Sequence, residues 1–199
     1  MNIPAPEIRG MLRRDIIEVP EVIGQASGIK IFGKTIRSLV FTTDIAIIKN
    51  TNADAIIAVH PFTPQPSITH AIMMAADVSV FCGVGGGLTQ HRRVINLALD
   101  AEFQGAIGVV VNALISNETL KCLAQTIDIP VAVTVVSEES GGRNAVVERI
   151  EAGATILNVP GAAKTAKIVR QIRDEFPDIP IIATGGPTDE TILKTIIHS

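Results

Sequence analysis

Apolar residues fall along this chain in two alternating textures. Short, nearly unbroken runs of Ile, Val, Leu and Ala occupy residues 38–41, 55–59, 78–82, 106–111, 131–136, 155–159 and 181–183. Runs without polar alternation are the mark of strands covered on both faces. Between them, apolar residues recur every three or four positions over 68–76, 91–102, 118–126, 144–151, 162–175 and 190–197, the spacing of a helical stripe. In the longest stretch, Ile168, Val169 and Ile172 share one face, with the basic residues turned from it. Pro177 and Pro180 bracket the exit into the next strand.

The exits repeat as well. Gln104-Gly105-Ala106 and Ala152-Gly153-Ala154 are followed by apolar runs, as is Asn52-Ala53-Asp54. A glycine ends a helix in a left-handed conformation, and a small residue lets the strand start tightly. The later units recur at roughly 24 to 28 residues, the length of one βα unit with short loops. Repeated βα units build a parallel sheet with right-handed crossovers, either closed as a barrel or open and doubly wound. Even unit lengths and the lack of a compositional break favour an incomplete (β/α)8-type barrel of about seven units. An eighth strand is expected either from residues 29–32 or from a longer form of the chain. Residues 1–36 are expected to form an amino-terminal cap or lid, and 37–199 the barrel domain.

Composition narrows the partners. Hydrophobic residues make up 47% of the 199 and aromatics only 3%, with no Trp or Tyr. The core must therefore be aliphatic, and base-stacking nucleic-acid modules are disfavoured. Net charge is −3, and no basic run exceeds the pairs Arg13-Arg14 and Arg92-Arg93, so no polyanion surface is expected. Residues 1–10 lack the apolar core of a signal peptide, and no apolar stretch is long enough to cross a membrane. Cys82 and Cys122 stand outside any CxxC and are expected to be reduced, buried thiols of a cytoplasmic protein.

Parallel barrels place chemistry where strands end. The most specific of these ends is Ile181-Ile182-Ala183-Thr184-Gly185-Gly186 before a helix. It resembles the seventh-strand phosphate loop of the ribulose-phosphate-binding barrels, an aldolase-type superfamily that includes epimerases, decarboxylases, synthases and aldolases. The resemblance runs over roughly residues 54–199. It implies a small phosphorylated metabolite as partner, with Gly185 and Gly186 offering backbone N–H groups to its phosphate at a helix N-terminus. That family's second phosphate element follows an eighth strand, and no such stretch is present to carry over.

Gly83-Val84-Gly85-Gly86-Gly87 departs from a dinucleotide fingerprint. Thr89 or Gln90 takes the last glycine's slot, and the next strand ends at Asn112 rather than an acid. Gly85 and Gly86 are instead candidates for binding a substrate carbonyl or anion, the alternative being a plain turn. His60 precedes Pro61 at a strand end, and Asp44 ends the neighbouring strand. Together they form a candidate general acid/base pair. Asp44 as a helix cap and His60 as a wall residue are the competing readings. Asn112 and Asn158 suit substrate hydroxyl or carbonyl groups, while Glu138 and Glu139 read as a solvated pair with catalysis as the alternative. His70, His91 and His198 read as helix-surface residues. No Lys ends a strand, which disfavours a Schiff-base aldolase, and no spacing suits a metal; no cofactor is expected.

Three functions remain open: an isomerase, epimerase, lyase or synthase acting on a small phosphorylated metabolite; a hydrolase using Asp44 and His60 to activate water; and a non-catalytic metabolite sensor similar in fold to the glycerol-phosphate-responsive antiterminators. A homo-oligomer is compatible with each.

Overall fold

The computed structural model describes residues 10–11, 15–59, 61–137, 142–184 and 186–198. After a 3-10 turn, Glu21–Gln25, come strands β1 (Ile29–Ile31) and β2 (Lys34–Ile36). The repeated units follow: β3 (Leu39–Phe41), α1 (Ile45–Lys49), β4 (Ala55–Ala58), α2 (Pro66–Ala75), β5 (Ser79–Gly85), α3 (Arg92–Phe103) and β6 (Gly108–Val111). Then come α4 (Asn117–Ala124), β7 (Val131–Thr134), α5 (Arg143–Glu151), β8 (Ile156–Val159), α6 (Thr165–Glu175), β9 (Ile181–Ala183) and α7 (Asp189–Ile197). A 3-10 turn at Ala162–Lys164 precedes α6 where the apolar spacing predicts helix.

Strands β3 to β9 pair in sequence order, each parallel to the next. An unreversed order sends every crossover the same way round, so the helices share one face and the other face must curl upon itself. The curl is visible in the packing. Ala55 and Ile57, Phe81, Val110, Ala132, Ile156 and Ile182, from six successive strands, form one buried cluster inside the sheet. Their neighbours Ile56, Val80 and Cys82, Val109 and Val111, and Val131 and Val133 face outward into the helix layer. Leu157 and Val159 do the same beneath Ile168, Val169 and Ile172 of α6. β9 pairs with β8 alone and β3 with β4 alone, so the barrel is incomplete, with its opening between them.

Residues 29–32 do not supply the missing strand. Ile29–Ile31 pairs antiparallel with Lys34–Ile36, and Gly33, at φ +82, makes the tight turn. This hairpin buries Ile31 and Ile36 in the inner cluster beside Ala55 and Ile107, at the amino-terminal ends of the strands. Alternating apolar residues and a tight glycine turn favour self-pairing over extension of the sheet. Upstream, Ile17 bridges to Thr51, its N–H donating to the Asn50 carbonyl at 2.7 Å. The Glu21–Gln25 turn then packs on α7. Residues 17–25 thus touch the unit at each side of the opening.

Asp54 ties hairpin and sheet together. Its Oδ2 accepts from the N–H groups of Arg37 (2.8 Å) and Ser38 (3.0 Å), and the Ser38 hydroxyl accepts from the Asp54 N–H (2.9 Å). Burial raises the pKa of Asp54, but the Arg37 and Ser38 N–H groups, the Ser38 hydroxyl and the Arg37 charge outweigh it, and the net value is lowered. A depressed carboxylate pKa contributes stability that is present above the unfolded value of about 3.9 and is lost as pH falls through the lower folded value. Urea midpoints should therefore fall on acidification through about pH 4, and Asp54→Asn should remove part of that fall. Identical acid slopes for the two proteins would show that Asp54 is energetically idle.

The two thiols differ. Cys82 is buried, and that burial, with the Asp100 charge, pushes its thiol up to about 12. Cys122 is exposed, contrary to the burial expected of it, because it lies on the outer side of α4 while Leu120 and Leu123 take the buried face.

Candidate functional site

The carboxyl-terminal strand ends form a mouth whose inner lining is polar. Strand alternation that turns Ala132 and Ile156 inward also turns Thr134 and Asn158 inward, and the two lie opposite each other in register. Asn158 is buried, 3% exposed. Its amide donates to Thr134 Oγ1 at 3.3 Å, and the Thr134 hydroxyl donates to the Val111 carbonyl at 2.8 Å. This chain leaves Asn158 Oδ1 without a donor among the described residues. Thr184 continues the layer beyond β9, its N–H donating to the Val159 carbonyl at 3.1 Å.

On the other side, β5 runs through the glycines to Gly85 instead of ending at residue 82. Val84 is the extra residue of a bulge, since Gly83 pairs with Val110 and Gly85 with Val111. Gly85 and Gly86 take φ of +100 and +98, a region closed to most side chains. The Gly86 N–H donates to the Thr89 carbonyl at 2.7 Å, which closes the loop on itself. Asn112 is held against this loop: its N–H donates to the Gly85 carbonyl at 2.8 Å, and its Oδ1 accepts from the Leu114 N–H at 3.0 Å. Its side-chain amide donates to nothing among the described residues. The fold thus brings Gly85, Gly86 and Asn112 together, with Asn158 and Thr134 across the neighbouring strands.

The other candidates are placed differently. Asp44 caps α1, with Oδ1 accepting from the N–H groups of Ala46 (2.8 Å) and Ile47 (3.4 Å). His60, Gly185, Glu138 and Glu139 lie outside the described residues. Gly186 sits against Thr191, whose side chain stands where a Cβ on Gly186 would be. The helix that follows is already capped: Thr188 and Thr191 form a reciprocal box, and Asp189 and Glu190 occupy its first turn. That helix N-terminus therefore offers an anion less than a bare one does. His91 is the N-cap of α3 at φ 52, with Nδ1 at 3.4 Å from Thr119 Oγ1. Among the described residues no group of His, Cys, Asp and Glu could hold a metal. No described helix is long and apolar enough to cross a membrane.

Exposed apolar side chains follow five successive strands: Phe41, Phe62, Leu88, Leu114 and Val136. Apolar side chains thus stand on part of the rim, beside the polar lining. Thr134 was not legible, because it sits inside the apolar run 131–136 and only the earlier end of the strand brings it to the mouth. Nor was a clamp by Arg149: its guanidinium reaches from α5 to the loop after Asn112, donating to the Ala113 and Ile115 carbonyls and to Asn117 Oδ1.

No protein-family model and no curated protein matches this sequence. Solved structures do match it. The 4-hydroxy-tetrahydrodipicolinate synthase of Methylacidiphilum fumariolicum SolV superposes with a TM-score of 0.55 at 15% identity, over 71% of this chain and 54% of that one. A candidate phosphonomutase from Burkholderia cenocepacia J2315 gives 0.63 at 14% identity, over 81% and 82%. An aldolase, QR15, gives 0.61 at 19% identity, over 81% and 85%. The chain spans little more than half the length of the dipicolinate synthase. These likenesses, with the unreversed parallel sheet and its open side, establish the fold as an incomplete (β/α) barrel.

Proposed function

We propose that this barrel is an enzyme of the lyase, synthase or isomerase type acting on a small phosphorylated metabolite, in the manner of the ribulose-phosphate-binding barrels. The observation that carries the proposal is the polar layer inside the mouth, above the apolar inner cluster. Asn158 is nearly buried, and its carboxamide oxygen, with no donor among the described residues, is an acceptor for a ligand hydroxyl. Across the mouth the free amide of Asn112 is a donor for a carbonyl or developing oxyanion. The Gly85-Gly86 loop fixes Asn112 and adds close backbone approach to the ligand. His60 serves as general acid or base, and Asp44, whose Oδ2 is left over from capping, as its carboxylate. Gly185 and Gly186 take the phosphate, against some opposition from Asp189 and Glu190. A synthase and an aldolase among the fold neighbours support the reaction class.

A second reading has its own support. The described inward-facing mouth residues Asn112, Thr134, Asn158 and Thr184 are all uncharged, which suits a barrel that binds a metabolite without transforming it and passes the signal to a partner. A calorimetric and turnover screen of phosphorylated and unphosphorylated small metabolites separates the two. Conversion of the ligand marks an enzyme, and His60→Gln should then lower turnover without moving the unfolding midpoint. Binding without conversion marks the sensor. Asn158→Leu should weaken either kind of ligand about tenfold. Unchanged affinity would move the site out of this mouth, and equal affinity for both forms of the ligand would remove the phosphate from the proposal.

A further inference from the structure

The two carboxamides of the mouth are each tied to the backbone, and the ties fix which end of each is left for a ligand. For Asn158 the tie is a relay across β6, β7 and β8. A carbonyl only accepts, so the Thr134 hydroxyl spends its single proton on the Val111 carbonyl, at 2.8 Å. Lone pairs are all it has left for Asn158, which lies opposite it in register. The Asn158 atom that meets it at 3.3 Å must therefore be the nitrogen, Nδ2, whichever way the amide is first drawn. Oδ1 is turned away and has no donor among the described residues. Yet it is not sealed off: the fully buried side-chain atoms without a partner among those residues are Gln104 Oε1, Thr165 Oγ1 and Arg173 Nε. The little surface that Asn158 keeps, 3%, thus includes its acceptor oxygen.

Asn112 is fixed in the opposite sense. Its Oδ1 accepts from the Leu114 N–H at 3.0 Å, which leaves Nδ2 as the free end. The mouth therefore holds one fixed acceptor and one fixed donor. A carboxamide without such a tie reads either polarity, because its two ends are nearly the same shape. For Asn158 the turned-over form sets Oδ1 against the lone pairs of Thr134, with no proton between them. The hydroxyl could supply that proton only by leaving the Val111 carbonyl. Thr134 is thus the residue that removes the ambiguity.

We propose that Thr134 is a specificity-determining positioning residue: it holds Asn158 as an acceptor, so that the mouth admits a ligand with a hydroxyl or amine at that point and rejects the matching carbonyl compound. The proposal rests on the reading of the mouth as the ligand site. A ligand carbonyl placed at Asn158 faces an oxygen, with like partial charges opposed and no hydrogen bond made, whereas a hydroxyl donates to it. A threonine that only pins three strands together would affect stability and leave this preference untouched.

Neutron diffraction from deuterium-exchanged crystals reads the orientation without a ligand. Deuterons are expected on the Asn158 atom that faces Thr134, and the Thr134 deuteron on the line to the Val111 carbonyl; an oxygen facing Thr134 overturns the proposal. The probes of selectivity are 2-hydroxypropyl phosphate and 2-oxopropyl phosphate, which differ only in hydroxyl against carbonyl. Both are followed through the side-chain amide signals of Asn158 in the whole chain. The alcohol should move them at about tenfold lower concentration than the ketone. In Thr134→Val the carboxamide is free to turn, and the preference should shrink to within about twofold, while Thr134→Ser, which keeps the hydroxyl, should retain it. Shifts without preference in the native chain, or a preference that Thr134→Val leaves intact, would overturn this inference alone. Asn158 signals that neither compound moves would overturn the mouth as the ligand site, and this inference with it.

Discussion

Phe81→Ala lowers the unfolding free energy by about 3–5 kcal/mol, much of the 5–15 kcal/mol that holds a typical domain together. Phe81 is the one fully buried aromatic of the six phenylalanines. It points from the middle of β5 into the inner cluster, among Ile57, Ala132, Ile156 and Ile182. The sequence makes room for the ring at one place: Gly108 lies directly opposite on β6, and a Cβ there would come within 2.6 Å of Phe81 Cε1. Gly108→Ala alone should therefore overpack the barrel and cost about 1–3 kcal/mol. Placed in the Phe81→Ala protein, the same methyl enters vacated space and should cost clearly less. Urea unfolding of the two single variants and the double variant measures this coupling. Strict additivity, or a Phe81→Ala loss below about 1 kcal/mol, would mean that the ring is not the filling of the barrel.

This pair marks where sequence reading stops. The strand runs are legible because burial on both faces makes them continuous, and β4, β8 and β9 fall within a residue of the expected bounds. The helix exits are legible because Gly105 and Gly153 do take left-handed conformations, at φ +92 and +107. The run at 29–32 was misleading, because three apolar-spaced residues do not say which strand they will pair with; Gly33 decides that locally. At the site, Asn112 and Asn158 stand out as polar ends of apolar strands. What they touch does not. The Thr134 hydroxyl between Asn158 and the Val111 carbonyl depends on register, and the self-closing of Gly86 on Thr89 depends on the bulge at Val84. The start of α3 is half-legible: Arg92-Arg93 is visible as a pair, but only the fold shows that it opens a helix with no side-chain cap.

Arg149→Ala should lower the unfolding free energy by about 2–3 kcal/mol and loosen the loop that positions Asn112. Nη1 donates to the Ile115 carbonyl at 2.5 Å and to Asn117 Oδ1 at 2.7 Å, and Nη2 to the Ala113 carbonyl at 2.9 Å. No carboxylate pairs with this guanidinium among the described residues, so its charge is spent on the loop itself. Each hydrogen bond to a charged group is worth about 1.5–3 kcal/mol, and Arg149 is half-buried, so water replaces part of what is lost. The planar fork matters more than the charge. A lysine ammonium is a single point and cannot span carbonyls two residues apart while also meeting the Asn117 amide oxygen. Arg149→Lys should therefore recover less than half of the loss. Amide exchange supplies the local test: Leu114 and Ile115, whose N–H groups donate to Asn112 Oδ1 and to the Asn112 carbonyl, should exchange faster in both variants. The N–H groups of Val131 and Thr155, bonded between strands away from this loop, should change only with global stability. Full rescue by lysine would reduce Arg149 to a surface charge, and the mouth would then owe the position of Asn112 to the Gly85 carbonyl alone.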